Sequence, residues 1–144
     1  MNRFHLHIAV SDLEASIRFY TVLFKAEPGV VQMDYAKWML EDPRINFAIS
    51  TRSSKTGLDH LGLQVESDEA LNEIQTRLNQ TEQPVTRQEN AGCCYARSDK
   101  YWSIDPDGIA WEAFHTLDNI PVFGDDNKPG MEPQTSACCP QTSC

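Results

Sequence analysis

His5 and His60 stand 55 residues apart and open the same local pattern. In both His5-Leu-His-Ile-Ala-Val10 and His60-Leu-Gly-Leu-Gln-Val65, apolar residues alternate with the imidazole face, the period of a half-buried strand. His7 shares the face of His5. Glu112 lies in Ile109-Ala-Trp-Glu-Ala-Phe114, where alternation puts it with Ala110 and Phe114, on a face that should be largely enclosed. Two imidazoles and a carboxylate make a facial triad that leaves three positions open on an octahedral ion. That arrangement suits non-haem Fe(II) with O₂ as co-substrate. Mn(II), Ni(II) and Zn(II) are the other metals such a site would take. The adjacent thiols Cys93 and Cys94 are a second chemistry. Thiolates bind soft, thiophilic species, provided a twist or bulge near Gly92 turns both toward one ligand.

The elements that must position these groups follow from the same alternation. The first copy reads as a strand, a helix that Ser11 and Glu14 open as a capping box, and then strands at Tyr35–Leu40 and Ile45–Ile49. The second reads as a strand from His60, a helix over Ser67–Leu78, a strand near Gly92–Ala96, another at Trp102–Ile104, and the strand of Glu112 after the Asp105-Pro-Asp-Gly108 turn. Each copy alone is too small for a good core, so the two pack together, within one chain or across a homodimer. Aligning Asp42-Pro43 with Asp105-Pro106, with one gap, sets Ala48 opposite Glu112. The repeat then supplies three ligands and not four. The expected fold class is α+β, with two copies of strand, helix and two or three strands. The domain spans residues 1–116, with repeats at about 1–50 and 58–116. Residues 117–144, rich in Pro, Gly, Asp and Thr, read as a flexible tail carrying Cys138, Cys139 and Cys144 as auxiliary thiols.

A chain of 144 residues is about one domain, and its net charge of −9 argues against a nucleic-acid partner. No apolar run reaches the ~18 residues of a membrane span, and none near Met1 resembles a signal-peptide core. The expectation is a cytoplasmic protein with no membrane partner, acting on a small molecule. Five cysteines then fit soft-ion chemistry better than a disulfide framework. His7 is read as a core residue or one that orients a ligand, and Tyr95 and Trp102 as pocket walls.

The double copy, the opening HLHIAVSDLEASIRFY, LDHLGLQVES and DPDGIAWEAF resemble the vicinal oxygen chelate superfamily of glyoxalases, fosfomycin-resistance thiol transferases, extradiol dioxygenases and bleomycin-binding proteins, over roughly residues 1–116. The stretch GCCYARSDKYWSIDPDG is similar to the arsenic- and cadmium-resistance subgroup, notably the organoarsenical carbon–arsenic lyases. The resemblance implies an Fe(II)-dependent dioxygenase that cleaves the carbon–arsenic bond of a trivalent organoarsenical such as methylarsenite and yields arsenite. It implies two βαβββ repeats forming a curved mixed sheet around a metal site, with His5, His60 and Glu112 as metal ligands and Cys93 and Cys94 as substrate-binding thiols. Members of this subgroup often carry Gln where this chain has His5. The alternatives are a metal-dependent glyoxalase or fosfomycin-type thiol transferase, and a non-enzymatic protein that sequesters Cd(II) or As(III).

Overall fold

A computed structural model describes residues 1–121 and 124. The first copy contributes β1 (Arg3–Ala9), α1 (Leu13–Phe24), β2 (Val30–Val31), β3 (Tyr35–Glu41) and β4 (Arg44–Ser50). The second contributes β5 (Gly57–Val65), α2 (Asp68–Leu78), β6 (Val85–Cys93), β7 (Ala96–Ile104) and β8 (Ala110–Asn119). All strands join one mixed sheet in the order β2-β3-β4-β1-β5-β8-β7-β6. The two copies meet at β1 and β5, which pair antiparallel within the one chain. Within each copy the opening strand pairs parallel with its last strand, β1 with β4 and β5 with β8.

The helices cover one face of the sheet. Leu13, Ile17, Tyr20 and Phe24 recur at helical spacing along α1 and pack on Trp38, Phe47 and Ile49. Leu71, Ile74 and Leu78 do the same from α2 against Val65, Tyr101 and Ala113. In β1, Leu6 and Ile8 join the α1 cluster, so alternation sends His5 and His7 to the opposite face. That face is concave. Tyr95, in the β6–β7 turn, donates from its hydroxyl to Asp34 Oδ1 at 2.5 Å, just before β3, and its ring lies 5.6 Å from that of Tyr35. In a flat sheet β3 and β7 would stand five strand spacings apart, about 24 Å at ~4.8 Å each. The sheet must curl around the histidine face for its two ends to touch.

Two local expectations are corrected. Asp12, not Ser11, caps α1: its side chain accepts from Ala15 N at 2.9 Å. The stretch Gly92–Ala96 is not a strand but the end of β6 and a tight turn, with Cys94 and Tyr95 at φ 56° and 62°. Cys93 and Ala96 pair across it, which makes a two-residue hairpin with both central residues left-handed. Ser67 caps α2 through Ala70 N as its position predicts. Cys138, Cys139 and Cys144 lie outside the described residues.

Gly62 is a glycine for a steric reason. A Cβ there would sit 2.2 Å from the backbone oxygen of Glu112, its partner on β8. Gly62→Ala is expected to force β5 and β8 apart and cost about 1–3 kcal/mol, the usual range for overpacking. Chemical denaturation of the variant checks this.

Candidate metal centre

Strands from both copies bring the predicted groups together at the β1–β5 seam. His5, His60 and Glu112 are all buried, at 4–6 % exposure. His5 Nε2 lies 3.1 Å from His60 Nε2 and 3.7 Å from Glu112 Oε2, and His60 Nε2 lies 3.3 Å from the same oxygen. Donors in cis positions on one ion with bonds of ~2.1 Å stand about 3 Å apart, so these separations fit a shared ion.

The outer hydrogen bonds fix which ring nitrogens face inward. His5 Nδ1 is 3.1 Å from the Asn46 carbonyl, which only accepts, so Nδ1–H donates and Nε2 offers its lone pair. His60 Nδ1 donates to Asp59 Oδ1 at 2.7 Å, with the same consequence. Two imidazole lone pairs and a carboxylate oxygen therefore converge on one point. Three acceptors repel one another unless a cation, metal or proton, lies among them. The donor set fits a metal for that reason.

The electrostatics say where the proton goes when metal is withheld. Burial alone would lower His60, but hydrogen bonds to Asp59 and Glu112 outweigh it and push it up to about 9. Burial and the neighbouring His60 lower His5 to about 4. His7 falls to about 3 for the same two reasons. Burial would raise Glu112, yet Lys100 and His60 hold its carboxyl well below the usual carboxylate range. His60 thus adds stability below its unfolded value of about 6.5, lost as pH rises through 9. His5 and His7, depressed, add stability above about 6.5, lost as pH falls toward 4 and 3, and Glu112 acts in the same direction. Chelator-treated protein is expected to be most stable near pH 6.5. Urea unfolding across pH 4–9 checks this, and a monotonic profile would contradict it.

Lys100 is the residue that sequence reading missed. It is 3 % exposed, and its Nζ donates to Glu112 Oε1 at 2.6 Å, which turns Oε2 toward the histidines. A lysine between Asp99 and Tyr101 reads as surface. Only the β7–β8 pairing, in which Trp102 lies opposite Glu112, reveals its place. Asp59 was equally silent, although it directly precedes His60.

Cys93 and Cys94 open onto the same cleft as His5 and Glu112, with Tyr35, Lys37, Asn46, Lys100 and Phe114 also lining it. Their Sγ atoms are 2.8 Å apart. The left-handed turn, not a bulge at Gly92, folds the two side chains together. Left-handed backbone costs a non-glycine residue roughly 1–2 kcal/mol, and such strain persists where the surroundings enforce it. Lys37 also lines the cleft, and burial lowers its ammonium below the ordinary lysine value. Tyr35 is raised well above its ordinary value by burial and by the two thiols, so it stays a neutral phenol. Trp102 stands behind the cleft, its ring 5.1 Å from that of His60, and Tyr95 lines the neighbouring groove beside Cys94.

Residues 3–113 match the model of the glyoxalase/bleomycin resistance protein/dioxygenase superfamily. The chain belongs to that superfamily. Among superfamily proteins it is 39 % identical to a trivalent organoarsenical cleaving enzyme of Bacillus sp. strain MD1, over 96 % of this chain and 91 % of that one. It is 32 % identical to the cadmium-induced protein CadI of Mycobacterium bovis, over 96 % and 93 %. Among solved structures of the superfamily fold, the substrate complex of homoprotocatechuate 2,3-dioxygenase from Brevibacterium fuscum superposes with a TM-score of 0.61 at 15 % identity. That match covers 83 % of this chain and 37 % of the dioxygenase. Among the described residues no helix is long and apolar enough to cross a membrane.

Proposed function

We propose that this protein is an Fe(II)-dependent enzyme that cleaves the carbon–arsenic bond of trivalent organoarsenicals, such as methylarsenite, with O₂ as co-substrate: methylarsenite and O₂ balance to arsenite and formaldehyde, the carbon being oxidised while arsenic stays trivalent. The observation that carries the reading is the shared cleft: two thiols 2.8 Å apart line one space with His5 and Glu112, and the buried His60 stands against that pair. The Bacillus relative, named for the cleavage of trivalent organoarsenicals, supports it.

Cys93 and Cys94 bind the substrate. Each thiol replaces one hydroxyl on the arsenic with release of water, so the arsenic becomes a dithiolate and its organic substituent is held inside the cleft. The left-handed turn holds the two sulfurs together beforehand, so little reorganisation accompanies binding. His5, His60 and Glu112 would hold Fe(II), which would supply O₂ activation beside the substituent. Asp59 keeps His60 in the binding tautomer, and Lys100 keeps Glu112 ionised and aimed. Holding both reactants in one cleft replaces a bimolecular encounter.

His60→Ala and Glu112→Ala test the ligand set. Each is expected to lower Fe(II) content at least tenfold and to remove arsenite production, with arsenical binding by the thiols retained. Full metal content in either variant would overturn the assignment.

A further inference from the structure

We propose that His7 is a fourth protein ligand of the metal, so that the ion is held by three imidazoles and Glu112. The proposal rests on the metal-site reading above and changes its ligand count.

The internal repeat carries the argument. His60 is the counterpart of His5, and the same offset makes Gly62 the counterpart of His7. On β4 the partner of His7 is Ala48, and on β8 the partner of Gly62 is Glu112. The His7–Ala48 pair therefore occupies in the first copy the place that Gly62–Glu112 occupies in the second. Each pair joins one residue without a donor to one with a donor. In the second copy the donor comes from the last strand, and Gly62 leaves it room. In the first copy the last strand carries Ala48, fully buried, and the donor comes from β1 instead. Ala48 removes the fourth ligand that the repeat would supply, and His7 restores it from the neighbouring strand.

The surroundings of His7 agree. It is 3 % exposed and lies directly across the β1–β5 ladder from His60, with ring centroids 4.9 Å apart. The ladder register shifts just after this pair, an irregularity that re-aims side chains. Donor atoms of His5, His7 and His60 all lie within 4.8 Å of one another. That group could hold one metal ion. His7 Nε2 is 2.9 Å from Ser50 Oγ, while Nδ1 has no hydrogen-bond partner among the described residues. With Nε2–H donating to Ser50, the Nδ1 lone pair is free, and coordination would satisfy a buried polar atom that is otherwise left unmade. His7 and His60 do not line the cleft, whereas His5 and Glu112 do. Four protein ligands leave two positions on a six-coordinate ion, and the back wall is the side that His7 closes.

X-ray absorption of the full-length protein loaded anaerobically with Fe(II) or Co(II) counts imidazoles directly. The expected count is three in the wild type and two in His7→Ala, with Co(II) affinity falling at least tenfold and the circular dichroism unchanged. Two imidazoles in the wild type would overturn the proposal and leave the triad intact, since His7 would then be a core residue bonded to Ser50. No metal binding in the wild type would sink the triad with it. The wild-type count decides even where His7→Ala fails to fold.

Discussion

Cys93→Ser and Cys94→Ser are each expected to lower kcat/KM for methylarsenite at least about a hundredfold while leaving metal content unchanged. The size follows from what is lost. A single thiol binds arsenic reversibly at one point and leaves the substituent free to rotate away from the cleft. Well-oriented reactants gain several kcal/mol of barrier from being held together, and about 2.7 kcal/mol is a hundredfold. The direction is specific because the two sulfurs lie 2.8 Å apart in a turn that is costly for Cys and Tyr to adopt. Serine preserves the turn and the volume but not the soft donor. Steady-state kinetics with parallel metal analysis provides the check. Unchanged turnover in either variant would mean that the thiols are two small semi-buried residues and not the substrate site.

Lys100→Met is expected to destabilise chelator-treated protein by about 3–5 kcal/mol, the usual cost of leaving a buried charge without its partner. Lys100 and Glu112 are both nearly inaccessible, and their charged atoms are 2.6 Å apart. Methionine keeps the stem and removes the ammonium, so Glu112 must remain charged without Lys100 or take up a proton. At about 2–4 °C per kcal/mol for a domain of this size, the midpoint of thermal unfolding should drop by roughly 10 °C. Metal-loaded protein should lose less, because a bound cation partly replaces the ammonium beside Glu112. Equal losses with and without metal would show that no cation binds there.

The parts of this molecule that were legible in the sequence were those written in periodicity. Alternation identified the two copies, put His5 and His60 at matching positions, and placed Glu112 on the inner face of β8 beside Phe114. The α2 cap was legible because Ser67 directly precedes a helical pattern. The α1 cap was misplaced by one residue because Ser11 and Asp12 are both good capping residues, and only the bond to Ala15 chooses between them. The turn at Cys94–Tyr95 was invisible for a physical reason. Such turns usually announce themselves through Asn and Gly, and here the left-handed positions hold Cys94 and Tyr95. Lys100 was invisible because its burial is a property of the β7–β8 register, not of its neighbours in sequence. The place proposed for His7 was hidden for a similar reason. Compared position by position, the repeat lacks a donor at Ala48, and only the β1–β4 pairing places His7 beside the gap.

The most direct test of the central claim is arsenite release from methylarsenite by Fe(II)-loaded protein in air, with an anaerobic reaction run in parallel. The account predicts many turnovers of arsenite in air and essentially none without oxygen. Tight binding of the arsenical with no arsenite under either condition would contradict it, and would make the cleft a site for capture and not for cleavage.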